Sequence, residues 1–328
     1  MNVRLVDVAK HLNISVSTVS RVVNGKDRVS DETRKKVWEA IEELNYQPNE
    51  IARSLRKQSS MTIGIIVPDI SNEFFALLMK GVESIARENG YLVILCNSDY
   101  DETMEKEYYN MLAKNQVDGI INATACEDHA YFEKILGSNI PVVFVDNLPQ
   151  IERNYNFVTI DNEKSAYDLT NHLIKSGYRD IAVITGKLQE TSAVERLNGW
   201  KKAMRSNNLE VHEDFIGIGD FKIESGYKIM SEMLELEKRP KALLAANNNI
   251  AYGAVKAIRE KGLDVPKDLY IVCFDAIDKT GLLSVHLPSM VQPAEKIGEI
   301  ALETILKRID NKEFKIYDRV ILEPEFIK

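Results

Sequence analysis

The sequence predicts two parts: an N-terminal all-α helix-turn-helix headpiece, followed by an α/β core of two lobes, each built on a doubly wound parallel sheet. The first observation is a set of three short helical patterns within residues 1–48. The second is an alternation of Ile- and Val-rich runs with amphipathic helical patterns from Met61 onward, which is typical of parallel sheets covered on both faces. The third is that this alternation restarts after residue 161, which indicates two lobes with a cleft at the carboxyl ends of their strands.

The first two helices of the headpiece are short and amphipathic. Apolar residues recur at helical spacing at Leu5, Val8, Ala9 and Leu12, and again at Val16, Val19, Val22 and Val23. Ser15 is placed to cap the second helix, and Asn24-Gly25 is a left-handed stop signal at its end. Two helices joined by a three-residue turn form the helix-turn-helix arrangement.

A third helix supports these two. Ser30 is a suitable N-cap, and Thr33 stands where a full capping box has Glu. The expected buried side of this helix consists of Val37, Trp38, Ile41 and Leu44. We expect Pro48 to end the helix, because proline cannot continue it.

The headpiece therefore spans residues 1–48, and residues 49–60 form a connecting segment. The segment, NEIARSLRKQSS, has helical periodicity, but a helix this short forms in water only when something holds it. Residues 61–328 form the core. We assign residues 61–161 and 291–318 to its N-lobe, and residues 162–290 and 319–328 to its C-lobe.

The polar face of the second helix carries hydroxyls, one amide and one guanidinium, but no acid. Residues 1–58 hold 11 Lys/Arg and 8 Asp/Glu, whereas the rest of the chain holds 31 Lys/Arg and 42 Asp/Glu. Opposite net charges in the two parts indicate a small segment that meets a polyanion and a large acidic body that does not.

Several classes of protein are not supported by the sequence. It contains no G-x-S-x-G, GK[ST] or H-E-x-x-H motif, and its five histidines are scattered, so an enzyme is not expected. We also expect no cofactor and no metal. No apolar run approaches the roughly 18 residues of a membrane span, and Asp7 stands where a secretory signal would be apolar. Three dispersed cysteines fit buried thiols in a reducing compartment, so the expected location is the cytoplasm.

The chain resembles the LacI/GalR-type bacterial transcriptional regulators from end to end. The headpiece run VDVAKHLNISVSTVSRVVNGKDRVSDETRKKVWEAIEELNYQPNEIARSLR carries the headpiece signature of that family nearly intact. The later runs IGIIVPDISNEFF, PVVFVDN, GYRDIAVITG, ERLNGW and DLYIVCFD resemble the periplasmic-binding-protein-like core of the same family. The resemblance implies a DNA-binding regulator, a roughly palindromic operator and a homodimer whose two headpieces are related by a two-fold axis.

The resemblance places the second helix in the DNA major groove, where short hydroxyls and a guanidinium reach phosphates and base edges. Val16 and Ser17 would then set sequence preference, and Arg21 would reach a guanine edge. The expected phosphate contacts are Thr18, Ser20, Asn24, Ser30 and Thr33. In the connecting segment, Ala52 and Leu55 would belong to a hinge helix that pairs with its symmetry mate in the minor groove, where Leu55 wedges between base steps.

The resemblance also places a small effector between the lobes. The residues it implies there are Asp69, Asn72, Phe74, Asp146, Asp161, Arg196, Phe221, Asn247, Asp275 and Gln292. An Arg fork among carboxylates and amides suits a polyhydroxylated ligand, a sugar or a sugar acid. Asn248 and Ala276 stand where the family commonly has acids, and this difference favours a sugar acid or sugar phosphate as a hypothesis.

Three rival interpretations remain to be weighed. An enzyme has no supporting motif, and a periplasmic solute-binding protein would share the core but not the headpiece. The third is a global catabolite-control regulator of the same family, which responds to a phosphorylated carrier protein; the run NSDYDE resembles that branch. The expected function is a homodimeric repressor of carbohydrate-utilisation genes, without a tail-built tetramer. The residues are compatible with an effector that induces and with one that co-represses.

Overall fold

The computed structural model describes residues 3–23, 29–46, 59–276, 286–311 and 317–328. The chain divides into two compact units, Met1–Ser60 and Met61–Lys328. No helix of the described residues combines the length and the apolar character needed to cross a bilayer.

In its described residues, the headpiece has three helices, α1 (Leu5–His11), α2 (Val16–Val23) and α3 (Asp31–Glu43). The hydroxyl oxygen of Ser15 accepts a hydrogen bond from the backbone N–H of Thr18 at 3.1 Å, and that of Ser30 accepts one from Thr33 at 3.3 Å. Both predicted caps are therefore confirmed. A single small core holds the helices together, made of Val8, Ala9, Val19, Val22, Val37, Ala40, Ile41 and Tyr46.

Two predictions for α3 are wrong. Trp38 is 44% exposed, because the buried stripe is centred on Val37, and the next residue of a helix points about 100° away. The helix also ends at Glu43, before Pro48 is reached. Asn45 follows with a left-handed φ of 50°, a conformation that asparagine tolerates and that turns the chain out of the helix.

The core contains twelve strands among its described residues. They are β1 (Thr62–Val67), β2 (Leu92–Asn97), β3 (Gly119–Asn122), β4 (Val142–Val145), β5 (Asn156–Ile160), β6 (Ile181–Thr185), β7 (Ile216–Ile218), β8 (Ala242–Ala245), β9 (Tyr270–Phe274), β10 (Ser289–Val291), β11 (Arg319–Leu322) and β12 (Glu325–Ile327). The central strands β3, β4, β6 and β8 are buried along their whole length, and β1 is buried from Ile63 onward, which is why their sequences are mainly apolar runs.

Over the same described residues, eight α-helices alternate with these strands. They are α4 (Glu73–Glu88), α5 (Glu102–Lys114), α6 (His129–Leu136), α7 (Asn162–Lys175), α8 (Thr191–Ser206), α9 (Ile223–Met233), α10 (Asn248–Glu260) and α11 (Ala294–Asp310). Asp or Asn side chains cap five of them, at Asn72, Asp101, Asp128, Asp161 and Asn247. Since each of these caps follows a strand of a parallel sheet, the capped helix ends lie on the cleft side of the lobes.

The strands form two six-stranded sheets, one in each lobe. The N-lobe sheet has the order β11-β5-β4-β3-β1-β2, and all its neighbouring strands are parallel. The C-lobe sheet has the order β12-β10-β9-β8-β6-β7, in which only the pair of β12 with β10 is antiparallel. The predicted pair of doubly wound lobes is confirmed, with an antiparallel edge strand added to the second.

Residues 319–322 belong to the N-lobe, so their assignment to the C-lobe is wrong. Strand β11 pairs with β5 in register from Arg319 opposite Phe157 to Leu322 opposite Ile160. The chain returns to the C-lobe only at β12. In the described part of the chain, the two lobes are therefore connected at residues 160–162, 291–294 and 322–325.

Two glycines allow helices α4 and α11 to pack closely in the N-lobe. A Cβ atom at Gly81 would lie 2.0 Å from the carbonyl oxygen of Glu295, and one at Gly298 would lie 2.1 Å from that of Leu78. Both distances are far below van der Waals contact, so neither position admits a side chain without moving a backbone. This contact fixes α11, which leads out of the C-lobe, against the first helix of the N-lobe.

Candidate functional site

The start of α2 presents the side chains predicted to read DNA. Val16 is 43% exposed although the other valines of its stripe are largely buried, and Ser17 and Arg21 are exposed. The hydroxyl oxygen of Ser15 lies 2.8 Å from that of Ser17 and 2.8 Å from that of Thr18. The hydroxyls are thus gathered at one helix end, with the Arg21 guanidinium one turn along. Their contacts with DNA stay a prediction.

The remaining residues predicted to contact DNA differ in how exposed their side chains are. Ser20 and Thr33 are half-buried, and Ser30 is exposed. The ammonium groups of Lys35 and Lys36 approach Glu39 and Glu32 of the same helix at 3.9 and 2.8 Å, so both form surface ion pairs. Asn24, Ala52 and Leu55 lie outside the described residues.

The cleft of the core is lined by residues from both lobes. They are Asn72, Phe74, Phe75, Tyr100, Asp146, Glu190, Ser192, Arg196, Phe221, Asn247, Asp275 and Gln292. Eight of the ten predicted effector residues are among them. The free space at this point of the cleft is about 30 Å³, which is room for a water molecule or two and not for a sugar. The cleft is therefore narrow in this structure.

Four of the lining residues adopt left-handed backbone conformations. The φ angles are 59° at Tyr100, 60° at Asp146, 62° at Phe221 and 59° at Asp275. Such angles are unusual for residues other than glycine, and they are outliers for aromatic residues. Asp146 and Asp275 directly follow strands β4 and β9, and both line the cleft at these strand ends. Backbone strain of this kind concentrates at functional sites.

Arg196 is the buried cation of the cleft and is only 3% exposed. Its Nε donates to the side-chain oxygen of Asn162 at 2.9 Å, and one terminal nitrogen donates to the carbonyl oxygen of Ala246. The guanidinium carbon lies 4.0 Å from the ring centre of Phe274. The other terminal nitrogen is buried without a hydrogen-bond partner among the described residues.

Asp275 is held by the residue opposite it. The backbone N–H of Gln292 donates to one carboxylate oxygen at 2.8 Å, and the Gln292 side-chain amide donates to the other at 2.7 Å. Burial raises the pKa of Asp275, and these hydrogen bonds and Arg196 oppose that shift. The side-chain oxygen of Gln292 is buried and lacks a partner in the described part of the molecule.

The structure adds Glu190, which was not predicted. One carboxylate oxygen accepts from the side-chain amide of Asn147 at 3.0 Å, and the oxygen of that amide accepts from the backbone of Ser192 at 3.0 Å. The other carboxylate oxygen is buried and has no described partner. Burial raises the pKa of Glu190 to about 8 and, likewise, that of Asp146 to about 6.

The sequence analysis also missed three other lining residues, Tyr100, Phe75 and Ser192. The only sequence signal for Glu190 was its place between a strand and the helix that carries Arg196.

Asparagines join the two lobes at the cleft. The Asn72 side-chain amide donates to Asn248 of the C-lobe at 3.2 Å, and its oxygen caps α4 through Phe74 N–H at 3.0 Å. Asn247 caps α10 through Ile250 N–H at 2.8 Å and donates to the Phe221 carbonyl at 2.9 Å. These amides therefore shape the cleft while their own hydrogen bonds are satisfied.

Asp69 and Asp161 do not line the cleft. An oxygen of Asp161 accepts from the backbone N–H of Lys164 at 2.8 Å, so this side chain caps α7. Asp69 accepts from the backbone N–H and the hydroxyl of Ser71 at 2.9 and 2.6 Å, which closes the turn before α4. In both cases the carboxylate serves the local backbone, as Asp residues at strand-to-helix junctions often do.

The described residues contain no group of His, Cys, Asp or Glu side chains arranged to hold a metal ion. Cys96, Cys126 and Cys273 are buried free thiols, as expected from their spacing.

The headpiece and the polar two-lobed core together define a class of protein, the ligand-controlled DNA-binding regulator. The family described as bacterial regulatory proteins, lacI family, matches residues 4–49, and the family described as periplasmic binding proteins and sugar binding domain of LacI family matches residues 60–328. The chain belongs to the LacI family of transcriptional regulators. Because the headpiece is present, it is not a solute-binding protein.

Three similar proteins illustrate the range of this family. The chain is 38% identical to the catabolite control protein A of Priestia megaterium, over 95% of this chain and 94% of the relative. It is 37% identical to the transcriptional repressor PurR of Aliivibrio salmonicida, over 98% and 96%. A lac repressor dimer bound to operator and the anti-inducer ONPF superposes with a TM-score of 0.88 at 28% identity, covering 100% of this chain and 98% of the other.

Proposed function

We propose that this regulator is a homodimeric repressor whose affinity for operator DNA is set by a small polyhydroxylated effector in the cleft. One observation carries the effector site: Glu190, Arg196 and Gln292 each direct a buried polar atom without a described partner into the same cleft. Buried polar atoms are nearly always hydrogen-bonded, so these three call for a polar ligand. The sugar-binding description of the matching family supports the same class.

DNA binding is supported by the exposed start of α2 and by the positive net charge of residues 1–58. The helix presents hydroxyls at its start and Arg21 one turn further along, and a helix with these groups fits the major groove. The solved relative whose description names a dimer bound to operator supports paired headpieces on one DNA site. A regulator that acts on operator DNA would work in the cytoplasm.

The exposed edge strand β2 supports a dimer. Leu92 is 73% exposed and Ile94, on the same face of the strand, is 38% exposed. An apolar edge strand promotes association unless another surface covers it. A Leu92→Glu variant should shift the sedimentation of the protein toward the monomer. Met111→Glu is the matched control, because Met111 is 43% exposed on helix α5 of the same lobe and is not part of a sheet edge.

The regulator function is tested with purified full-length protein and a pool of promoter fragments from its genome. A thermal-shift screen of sugars identifies candidate effectors, and each hit is then added to the fragment-binding assay. The proposal expects salt-sensitive retention of a small set of fragments and a change in that retention with at least one hit. Retention that no hit alters would contradict effector control.

A second candidate is catabolite control through a phosphorylated carrier protein, which the similarity to catabolite control protein A favours. The chain is similar to the repressor PurR to almost the same degree, although the two relatives are named as different regulators. The percentage of sequence identity therefore favours neither kind of effector. Co-purification with the phosphorylated carrier protein, but not with its unphosphorylated form, would select this alternative.

A further inference from the structure

The cleft has a mouth on the side away from the segments that connect the two lobes. Strands β11 and β5 of the N-lobe and β10 and β12 of the C-lobe lie at one end of their sheets and lead into those connections, whereas β2 and β7 lie at the other end. The segments that follow β2 and β7 are therefore far from the connections about which the lobes can turn. A contact between these two segments opposes separation of the lobes with a long lever arm.

Two residues after β2, Asp99 and Tyr100, make this contact, and we call them the strap. An oxygen of the Asp99 carboxylate accepts a hydrogen bond from the ammonium group of Lys222 in the C-lobe at 3.0 Å. The Tyr100 ring packs against the apolar cluster of the C-lobe, and within the described part of the chain it is the one N-lobe side chain there. The Lys222 ammonium also lies 6.0 Å from the centre of the Tyr100 ring. The strap thus joins the lobes by an ion pair and by apolar packing.

The strap has a strained backbone between two fixed points. The φ angles of Asp99 and Tyr100 are 51° and 59°, and two successive left-handed residues other than glycine are rare. Before the strap, the backbone N–H of Ser98 donates to the carbonyl oxygen of Val67 in β1 at 2.9 Å. After the strap, the Asp101 side chain caps helix α5. Strain of this kind persists only where surrounding contacts hold it, and the contacts with the C-lobe are of that kind.

The C-lobe surface that receives the strap is fixed by its own lobe. The carbonyl oxygen of Phe221 accepts from the side-chain amide of Asn247 at 2.9 Å. The Phe221 ring covers Gly186, where a Cβ atom would lie 2.1 Å from a ring carbon. The backbone N–H of Lys222 donates to the Asp220 carboxylate at 3.1 Å. Because protein atoms alone hold both sides of this contact, the contact needs no ligand to form.

We propose that the strap holds the two lobes together through the chain's own contacts and keeps the cleft narrow. Tyr100 and Phe221 both line the free space of about 30 Å³. A ligand of sugar size fits only after the lobes separate or one of these rings moves, and either change breaks contacts of the strap. Release of the strap is then a step of effector control. This regulatory use rests on the proposed function, whereas the effect of the strap on the lobes does not.

The test measures the distance between the lobes by double electron–electron resonance on full-length protein, without DNA or sugar. Spin labels are attached at Glu107→Cys on α5 and Glu232→Cys on α9, because both positions are exposed and the native cysteines are buried. Labelled chains are diluted into unlabelled protein, so that only distances within one chain are measured. Tyr100→Ala removes the apolar packing, and the ratio of separated to apposed lobes should therefore rise by about 10-fold or more. Tyr108→Ala is the control and should leave the ratio unchanged, because Tyr108 packs against the apolar cluster of its own N-lobe.

A charge-exchange cycle tests the strap without removing a buried group, since the Asp99 and Lys222 side chains are 72% and 38% exposed. Lys222→Glu places two carboxylates together and should raise the same ratio by about 2- to 5-fold. Asp99→Lys combined with Lys222→Glu restores an ion pair and should return the ratio toward the wild-type value.

An unchanged ratio in folded Tyr100→Ala overturns the proposal. So does a double variant whose lobes separate as much as those of Lys222→Glu alone, and this second result decides the matter even when Tyr100→Ala does not fold. Because the distance measurement contains neither DNA nor effector, promoter-fragment binding by the same preparations tests the regulator function separately.

Discussion

Replacing Arg196 by methionine removes the buried cation of the cleft and keeps most of the side-chain volume. The variant loses the hydrogen bonds to Asn162 and to the carbonyl of Ala246, and both acceptors stay in the interior. It also loses the stacking of the guanidinium on Phe274 at 4.0 Å. Removing one partner from a buried charged network costs about 3–5 kcal/mol, because the opposite charges are left uncompensated. We expect a loss of that size at pH 8.

The loss should be smaller at pH 5.5. Burial raises the pKa of Asp146 to about 6, and Arg196 opposes this shift. Without Arg196 the pKa of Asp146 rises further, so the carboxyl is protonated at pH 5.5 and needs no counter-charge. The folded variant binds this proton more tightly than the unfolded chain does, so its stability relative to the wild type improves as the pH falls through this range.

Urea unfolding of full-length protein, followed by circular dichroism at pH 5.5 and pH 8, measures both effects. Arg205→Met is the control, because Arg205 is exposed near the end of the same helix. Equal urea midpoints for the two variants at both pH values would refute the reasoning. A larger loss at pH 5.5 than at pH 8 would refute the role assigned to Asp146.

Three further predictions address other parts of the molecule. Wild-type thermal stability should fall between pH 5 and pH 8.5, because burial raises the pKa of Glu190 from 4.5 to about 8, and the Glu190→Gln variant should lose this part of the pH dependence in differential scanning calorimetry. Gly298→Ala should cost about 1–3 kcal/mol in urea unfolding, because its Cβ would lie 2.1 Å from the Leu78 carbonyl oxygen; an unchanged midpoint would contradict the helix contact. Arg21→Ala should weaken binding to the selected operator by about 1–3 kcal/mol and relax sequence preference at one base pair in a selection assay, whereas Lys35→Ala should leave that preference unchanged.

Much of the fold follows from short-range patterns in the sequence. Helix α5 is an example, because Asp101 caps its start and an apolar stripe runs along it, and both of these signals are local. The caps at Ser15 and Ser30 could also be predicted, since a hydroxyl side chain directly before a helical pattern of apolar residues is a local signal. The lobe to which residues 319–322 belong could not be predicted in this way, because it depends on pairing with a strand some 160 residues earlier in the chain.

The cleft shows the same division between local and long-range information. Arg196, Asp275 and Gln292 were identified from family motifs, and the structure brings them together at the strand ends. Asp161 occupies a comparable position in the sequence, yet its carboxylate is used as a helix cap. Glu190 was missed because its role depends on a loop that carries it toward Asn147 of the other lobe. Residue type and strand-end position therefore indicate candidates, but only the fold decides which side chains reach the cleft.

If a cationic headpiece binds duplex DNA under the control of a ligand in the acidic core, both salt and ligand must change the affinity of the protein for DNA. Fluorescence anisotropy of a labelled promoter fragment, titrated with full-length protein at several salt concentrations with and without the best neutral sugar, tests it most directly. The account predicts an affinity that falls steeply with salt and changes about 10-fold or more when the sugar is added. An affinity that depends on neither salt nor sugar would contradict it.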